Sequence, residues 1–267
     1  LVIDGGQLHR CSPLLAMTAE KIATRLYLPA ALVPGSAVAL DAGLSHRLRT
    51  VLRLSPGASV AAFNANDGEF LCRVAELGRN RGSLTVESRL RAAEPEAGPW
   101  LLFAPVKRLR LEWLFEKGTE LGVGAFAPVM TARTQPDRLN SERLLAHAVA
   151  AAEQCERLSV PDIRPLAPLN QVLAEWPAGR WLIFCDESGG GIPIAEAVAG
   201  LPAGAAAALI VGPEGGFTQT ELDALANLPF VKRAGLGPRV LRAETAALAA
   251  LAAYQAIAGD WRSLRRR

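Results

Sequence analysis

Two loops in the second half of the chain combine residue types suited to holding a small ligand. The first, Gly212-Pro213-Glu214-Gly215-Gly216-Phe217, follows the apolar run Ala206–Val211. Glycines so placed let a ligand come close to the backbone. A phosphate cradle is the reflex reading, and Glu214 argues against it. A carboxylate repels phosphate inside a nest of N–H groups, and no Lys-Ser/Thr pair follows as a P-loop requires. A neutral or cationic ligand fits better, with a purely structural Gly-Pro turn as the alternative. The second loop, Leu236-Gly237-Pro238-Arg239-Val240-Leu241-Arg242-Ala243-Glu244-Thr245-Ala246, leads into a helix of mostly small residues, Ala246–Gly259. Its two arginines beside a glutamate can serve a site or form an ordinary surface ion pair. Neither loop has the G-x-G-x-x-G spacing of a dinucleotide-binding turn.

Other chemistries find little support. Cys11, Cys72, Cys155 and Cys185 lie far apart, with only His9, His46 and His147 beside them, so no zinc-ligand spacing arises and no metal is expected. No histidine adjoins a nucleophile motif, which weakens a Ser-His-Asp or Cys-His reading. The unpaired thiols suit a reducing cytoplasm. The most apolar stretch, Ile192–Val211, is interrupted by Glu196, Gly200, Pro202 and Gly204, so no membrane span is expected.

Both loops need elements to hold them. From Trp100 onward strands alternate with helices. The strands are Leu101–Pro105, Ala125–Val129, Trp181–Cys185, Ala206–Val211 and Val231–Leu236; the helices cover 109–121, 141–158, 169–175, 193–200, 219–227 and 243–258. Such alternation predicts an α/β domain with a mostly parallel sheet. In these sheets ligands bind at the carboxyl ends of strands, where both loops fall. Thr218 and Glu221 form a T-x-x-E capping box that opens the helix after the first loop.

The first part of the chain reads differently. Short strands at Arg25–Leu28, Ala37–Leu40, Ser59–Asn64, Glu69–Leu77 and Ser83–Arg91, separated by Asn/Gly-rich turns, predict a small β-barrel. One helix interrupts them, with Ser45 as its expected N-cap, an apolar stripe of Leu48, Val51 and Leu52, and Arg47, Arg49 and Arg53 elsewhere on its surface. The expected division is a disordered extension or alternative start over 1–17, the barrel over 18–93, a linker over 94–99 and the α/β domain over 100–267. At 267 residues with 50% hydrophobic and 21% charged, the chain can build two modest cores. Its net charge of +3 excludes neither nucleic acid nor small molecules, and the basic end Arg262–Arg267 reads as a solvated tail or an RNA contact.

Taken together, GPEGGFT followed by LGPRVLRAETA resembles the ribosomal RNA small-subunit methyltransferase E family of the SPOUT superfamily. His46–Arg53, Glu116–Val123 and Ala151–Arg157 match the same family in the same order, extending the resemblance over about 20–260. Ser45 stands where the family usually has His, and Val240 where it has Ile. The resemblance implies a trefoil-knotted C-terminal domain binding S-adenosylmethionine, a PUA-like N-terminal RNA-binding domain, a homodimer, and methylation of a uridine at N3 in 16S ribosomal RNA. Cofactor contacts are then expected from Gly212, Pro213, Glu214, Gly215 and Gly216, and from Leu236, Gly237, Arg239, Val240 and Leu241. RNA contacts are expected from Arg47, Arg49 and Arg53.

Transfer to N3 requires alignment of the methyl group, loss of the imide proton and unstacking of the base. Glu244 and Glu120 are the candidates for taking the proton, with Arg242 and Arg25 as electrostatic partners. The alternatives are a ribose 2′-O-methyltransferase of the same superfamily, whose Asn-x-Gly-x-x-x-Arg segment is missing here, and a non-catalytic RNA-binding assembly factor.

Overall fold

The computed structural model describes residues 21–105, 108–134 and 139–262. The expected extension 1–17 and the basic residues 263–267 lie outside the described residues. The small sheet contains β1 (Arg25–Tyr27), β2 (Ala37–Leu40), β3 (Ser59–Asn64), β4 (Gly68–Leu77) and β5 (Gly82–Arg91), in the order β1-β3-β4-β5-β2, with β2 antiparallel to β5. Leu26, Val60, Phe63, Cys72, Leu84 and Val86 are buried along its strands.

Between β2 and β3 lies α1 (Ala42–His46), which runs into a π-helical turn over Arg47–Val51. Asp41 rather than Ser45 is the N-cap: its carboxylate accepts from the Leu44 N–H at 2.7 Å, leaving Ser45 buried within the helix. An Asp placed three residues ahead of Leu44 captures a free N–H of the first turn. The wider turn also breaks the expected apolar stripe. Leu48 is buried, but Val51 is 66% exposed, because the Leu52 N–H bonds back five residues to Arg47 O. Arg53 closes the turn at φ 54°, a left-handed conformation that disfavours most side chains.

The second sheet is built from β6 (Trp100–Phe103), α2 (Arg108–Glu120), β7 (Ala125–Met130), α3 (Ser141–Cys155), β8 (Asp162–Ile163), β9 (Ala167–Pro168), α4 (Leu169–Ala174), β10 (Trp181–Cys185), β11 (Ile192–Pro193), α5 (Ile194–Ala199), β12 (Ala207–Val211), α6 (Gln219–Ala226), β13 (Val231–Gly235) and α7 (Ala243–Ile257). Its order is β11-β13-β10-β12-β6-β7-β8, with β9 on β7, and its strand pairs are parallel. Apolar side chains cover both faces, as a parallel sheet demands. Leu101, Phe103, Ile183, Leu209 and Val211 meet α2, α5 and α7 on one face, while Leu102, Leu182, Phe184 and Ile210 meet α4 and α6 on the other. Among the described residues no helix is long and apolar enough to cross a membrane.

Among the described residues two compact units divide the chain, one comprising 21–25, 32–62 and 70–89, the other 26–31, 63–69 and the described residues from 90 onward. Inside the second unit, Glu96 accepts from the Leu158 and Ser159 N–H groups at 3.1 and 3.0 Å, which anchors the segment 94–99. Helix α3 stops earlier than its pattern suggests. Glu156 turns left-handed at φ 63°, and Arg157 then points inward to donate to Thr119 O and Val123 O, each at 2.9 Å. Arg157 thus braces the connection between α2 and β7.

Candidate active site

The strand order sets β10 between β12 and β13. Three loops therefore meet at one end of the sheet: 186–191 after β10, 212–217 after β12 and 236–242 after β13. Two of them are the glycine-bearing loops singled out in the sequence. The third carries Ser188-Gly189-Gly190-Gly191, a strand-end glycine run that the same reasoning could have flagged.

The 212–217 loop is fixed from several sides. Phe217 is buried edge-on against Phe184 with ring centroids 5.1 Å apart, and a Cβ at Gly212 would lie 2.7 Å from its ring. Gly216 takes φ 69°, and a Cβ there would strike Glu187 Oε1, which accepts from the Phe217 N–H at 3.0 Å. Arg133 donates to Gly215 O at 2.7 Å. The capping box is formed: Thr218 Oγ1 accepts from the Glu221 N–H, and Glu221 Oε2 accepts from the Thr218 N–H at 2.8 Å. Glu221 Oε1 also accepts from the Ala132 N–H at 2.7 Å. Burial by itself would raise the Glu221 carboxyl; the Thr218 and Ala132 hydrogen bonds, with Arg133 nearby, outweigh it and hold the group below the usual range.

Asp186 organises the neighbouring loop. Its carboxylate accepts from the Ser188 and Gly190 N–H groups at 2.9 and 3.1 Å and from Arg233 Nε at 2.5 Å. Burial pushes its carboxyl up, and the Ser188 hydrogen bonds and the Arg233 guanidinium bring it below its ordinary value. The 236–242 loop is anchored by Leu236 and Leu241, which pack on the main core, while Gly237, Arg239 and Val240 are exposed between them.

Arg110, on the first turn of α2, links the loops. Its Nη1 is 2.5 Å from Glu214 Oε1 and its Nε is 3.4 Å from Glu244 Oε1. Glu244 lies in the first turn of α7 and is buried, and its Oε2 has no hydrogen-bond partner among the described residues. An unmatched buried carboxylate oxygen is costly unless a ligand completes it. Nothing in the sequence singles out Arg110, because Arg108-Leu109-Arg110 reads as an ordinary basic helix start.

The other candidate residues lie in different surroundings. Arg242 is the N-cap residue of α7, two positions from Glu244, and makes no capping bond. Glu120 sits ten residues beyond Arg110, about 15 Å along the helix axis, and accepts from Lys117 Nζ at 2.9 Å. Arg25 opens β1 in the small sheet, and Arg47, Arg49 and Arg53 lie on and just after the π turn. Among the described residues no cluster of His, Cys, Asp and Glu could hold a metal ion.

Similarity to known proteins covers most of the chain. Residues 95–255 match the RNA methyltransferase domain family, and residues 45–87 match the RNA methyltransferase PUA domain. The ribosomal RNA small subunit methyltransferase E of Rickettsia conorii is 31% identical over 229 residues, covering 85% of this chain and 93% of that protein. The Bacillus subtilis protein of the same name is 32% identical over 219 residues, covering 78% and 85%. The crystal structure of a ribosomal RNA small subunit methyltransferase E from Neisseria gonorrhoeae bound to S-adenosyl methionine superposes with a TM-score of 0.78 at 28% identity, covering 89% of this chain and 99% of that one. The fold is accordingly that of the trefoil-knotted SPOUT methyltransferases, with a PUA-like domain before it. Glycine loops at adjoining strand ends, a matched catalytic domain and relatives aligned over most of their length converge: the chain belongs to the ribosomal RNA small subunit methyltransferase E family.

Proposed function

We propose that the protein methylates N3 of a uridine in 16S ribosomal RNA of the small subunit, with S-adenosylmethionine as methyl donor. The observation that carries this reading is the buried, unpartnered Glu244 Oε2 beside the Arg110–Glu214 pair, at the strand ends where the glycine loops converge. The site suits a cationic cofactor. Glu214 and Glu244 place two carboxylates there, and Gly215 is exposed in the loop beside Glu214. Residues Gly212–Gly216 and Leu236–Leu241 would hold the cofactor. When bound, it supplies an electrophilic methyl group on a sulfonium.

The chain's own residues then have distinct tasks. Glu244 Oε2 accepts the N3 proton of the uracil, for which a carboxylate without a competing donor is suited. Arg110 keeps Glu244 and Glu214 in place and offsets their negative charge, and Arg242 adds a cation at the same helix start. Glu120, already paired with Lys117, is the weaker candidate for proton removal. Arg47, Arg49 and Arg53 contribute phosphate contacts that position the RNA.

The working unit is a homodimer with its active sites at or near the subunit interface. Large apolar side chains exposed on segments bordering the site support this: Leu109 at 79%, Trp113 at 44% and Val240 at 88%. A second copy would remove them from water. The deciding experiment is methylation of small ribosomal subunits from a strain lacking the enzyme, followed by nucleoside mass spectrometry. N3-methyluridine is the expected product. A methyl group on ribose, or none at all, would overturn the reading.

A further inference from the structure

The opposite end of the parallel sheet carries rings and cations that methyl transfer does not use. The guanidinium carbon of Arg164 lies 3.6 Å from the centroid of the Trp100 ring, and that of Arg180 lies 3.7 Å from it. Trp176 meets Trp100 edge-on at 6.2 Å and stacks on Phe230 at 5.4 Å. Lys232 Nζ sits 5.3 Å from the ring of Trp181, the residue after Arg180. Trp100 and Trp181 open β6 and β10, so the group marks the amino ends of the strands, away from the glycine loops.

Attraction between cations and ring faces explains the stacking. It does not explain the excess of positive charge. Arg180 donates to Ala207 O at 2.8 Å, its buried Nε has no partner, and among the described residues no carboxylate pairs with it. Burial, and then the charge of Arg164, hold the Arg180 guanidinium below its ordinary pKa. Arg164 has one acidic neighbour among the described residues, Asp162 at 3.8 Å, and the two side chains remain 41% and 69% exposed. A guanidinium this close to a ring lies flat on it and turns its other face outward.

We propose that this edge is a second contact for the substrate RNA, separate from the arginine-bearing helix of the small sheet. An unpaired base stacks on the outer face of the Arg164 guanidinium, and Lys232 meets a neighbouring phosphate. Arg180 beneath them is a fixed charge that favours the polyanion. Unpaired bases in folded RNA are recognised on such planar cations and rings, and this set of residues offers no large open apolar face for a protein partner. The inference rests on the reading that the protein acts on ribosomal RNA.

Binding of the full-length protein to small ribosomal subunits, measured across a salt series, tests it. Arg164→Gln and the double variant Arg164→Gln with Lys232→Gln should bind about fivefold or more weakly. The slope of log affinity against log salt should fall by about one for each phosphate that is no longer neutralised. S-adenosylmethionine affinity and the melting midpoint should match those of the unmodified protein. Arg164→Lys should keep the slope but not the affinity, because an ammonium presents no plane for stacking. Unchanged RNA affinity and slope in the double variant would overturn the proposal, whether or not its midpoint moved. Failure of the unmodified protein to bind the subunits would overturn the functional reading as well.

Discussion

Glu244 and Gly215 separate chemistry from binding within one site. Replacing Glu244 with Gln removes the proton acceptor while keeping shape and burial. Its turnover number should fall by about 10²–10⁴, far more than S-adenosylmethionine affinity in calorimetry, because Glu214 remains beside the cofactor loops. A turnover number within a few-fold of normal would remove Glu244 from the mechanism. Gly215→Val should do the reverse. Its Cβ would sit 3.5 Å from Arg133 Cβ and Cδ, ordinary van der Waals distances, so the fold should tolerate it. A branched side chain is expected to keep a ligand from the loop backbone, and cofactor affinity should drop by about tenfold or more, on the order of 1.4 kcal/mol. Two thiols give a simpler check at this scale. Burial raises Cys72 to about 11 and Cys185 to about 12, so neither should be alkylated at pH 8 until the protein unfolds. Rapid labelling of either in the native state would contradict that burial.

At the scale of elements, the loops at the end of the parallel sheet depend on carboxylates held below their ordinary pKa. Asp186 clamps the 186–191 loop and Glu221 caps α6. A depressed folded-state pKa means stability that is fully present above the unfolded value, about 4. It is lost as pH falls from there through the folded value. The melting midpoint should therefore decline steeply below about pH 4, and Asp186→Asn and Glu221→Gln should each flatten that acid limb. An unchanged limb in both variants would mean the hydrogen bonds carry no differential weight. On the small sheet, reversing charge at Arg49 and Arg53 should weaken binding to small subunits and reduce its salt dependence, leaving cofactor binding intact. Arg53 is left-handed, so Arg53→Gly deletes the charge while relieving a conformation that costs a side chain about 1 kcal/mol. Weaker RNA binding with an equal or higher melting midpoint is expected from that variant.

For the whole molecule, the expected unit is a dimer with a shared site. Mixing a chain disabled in cofactor binding (Gly215→Val) with one disabled in RNA positioning (Arg49→Glu with Arg53→Glu) should restore part of the activity when each chain supplies half of a site. Sedimentation at working concentration should report two chains, and Val240→Glu should shift the balance toward monomer. A fully active monomer would refute the dimer. The exposed Leu109 and Val240 motivate the expectation, since a second copy seated there would remove them from water.

Local patterning was enough to specify the elements. Apolar runs marked the five long strands of the parallel sheet within a residue or two; in all but β13, burial on both faces forces a continuous apolar run. The capping box at Thr218 and the strand-end glycines were also legible, since each is a local requirement of backbone geometry. Whatever depends on partners distant in sequence came only with the three-dimensional fold. Arg110 meets Glu214 from 104 positions away, and no periodicity encodes that meeting. Arg157 is turned inward by a left-handed Glu156 to carbonyls of the α2–β7 connection, which no helical stripe encodes. The π turn exposed Val51, which a regular helix would have kept on the same stripe as Leu48. The unpartnered oxygen of Glu244 exists only because α7 packs against α2 and the sheet, which excludes water from one side of the carboxylate.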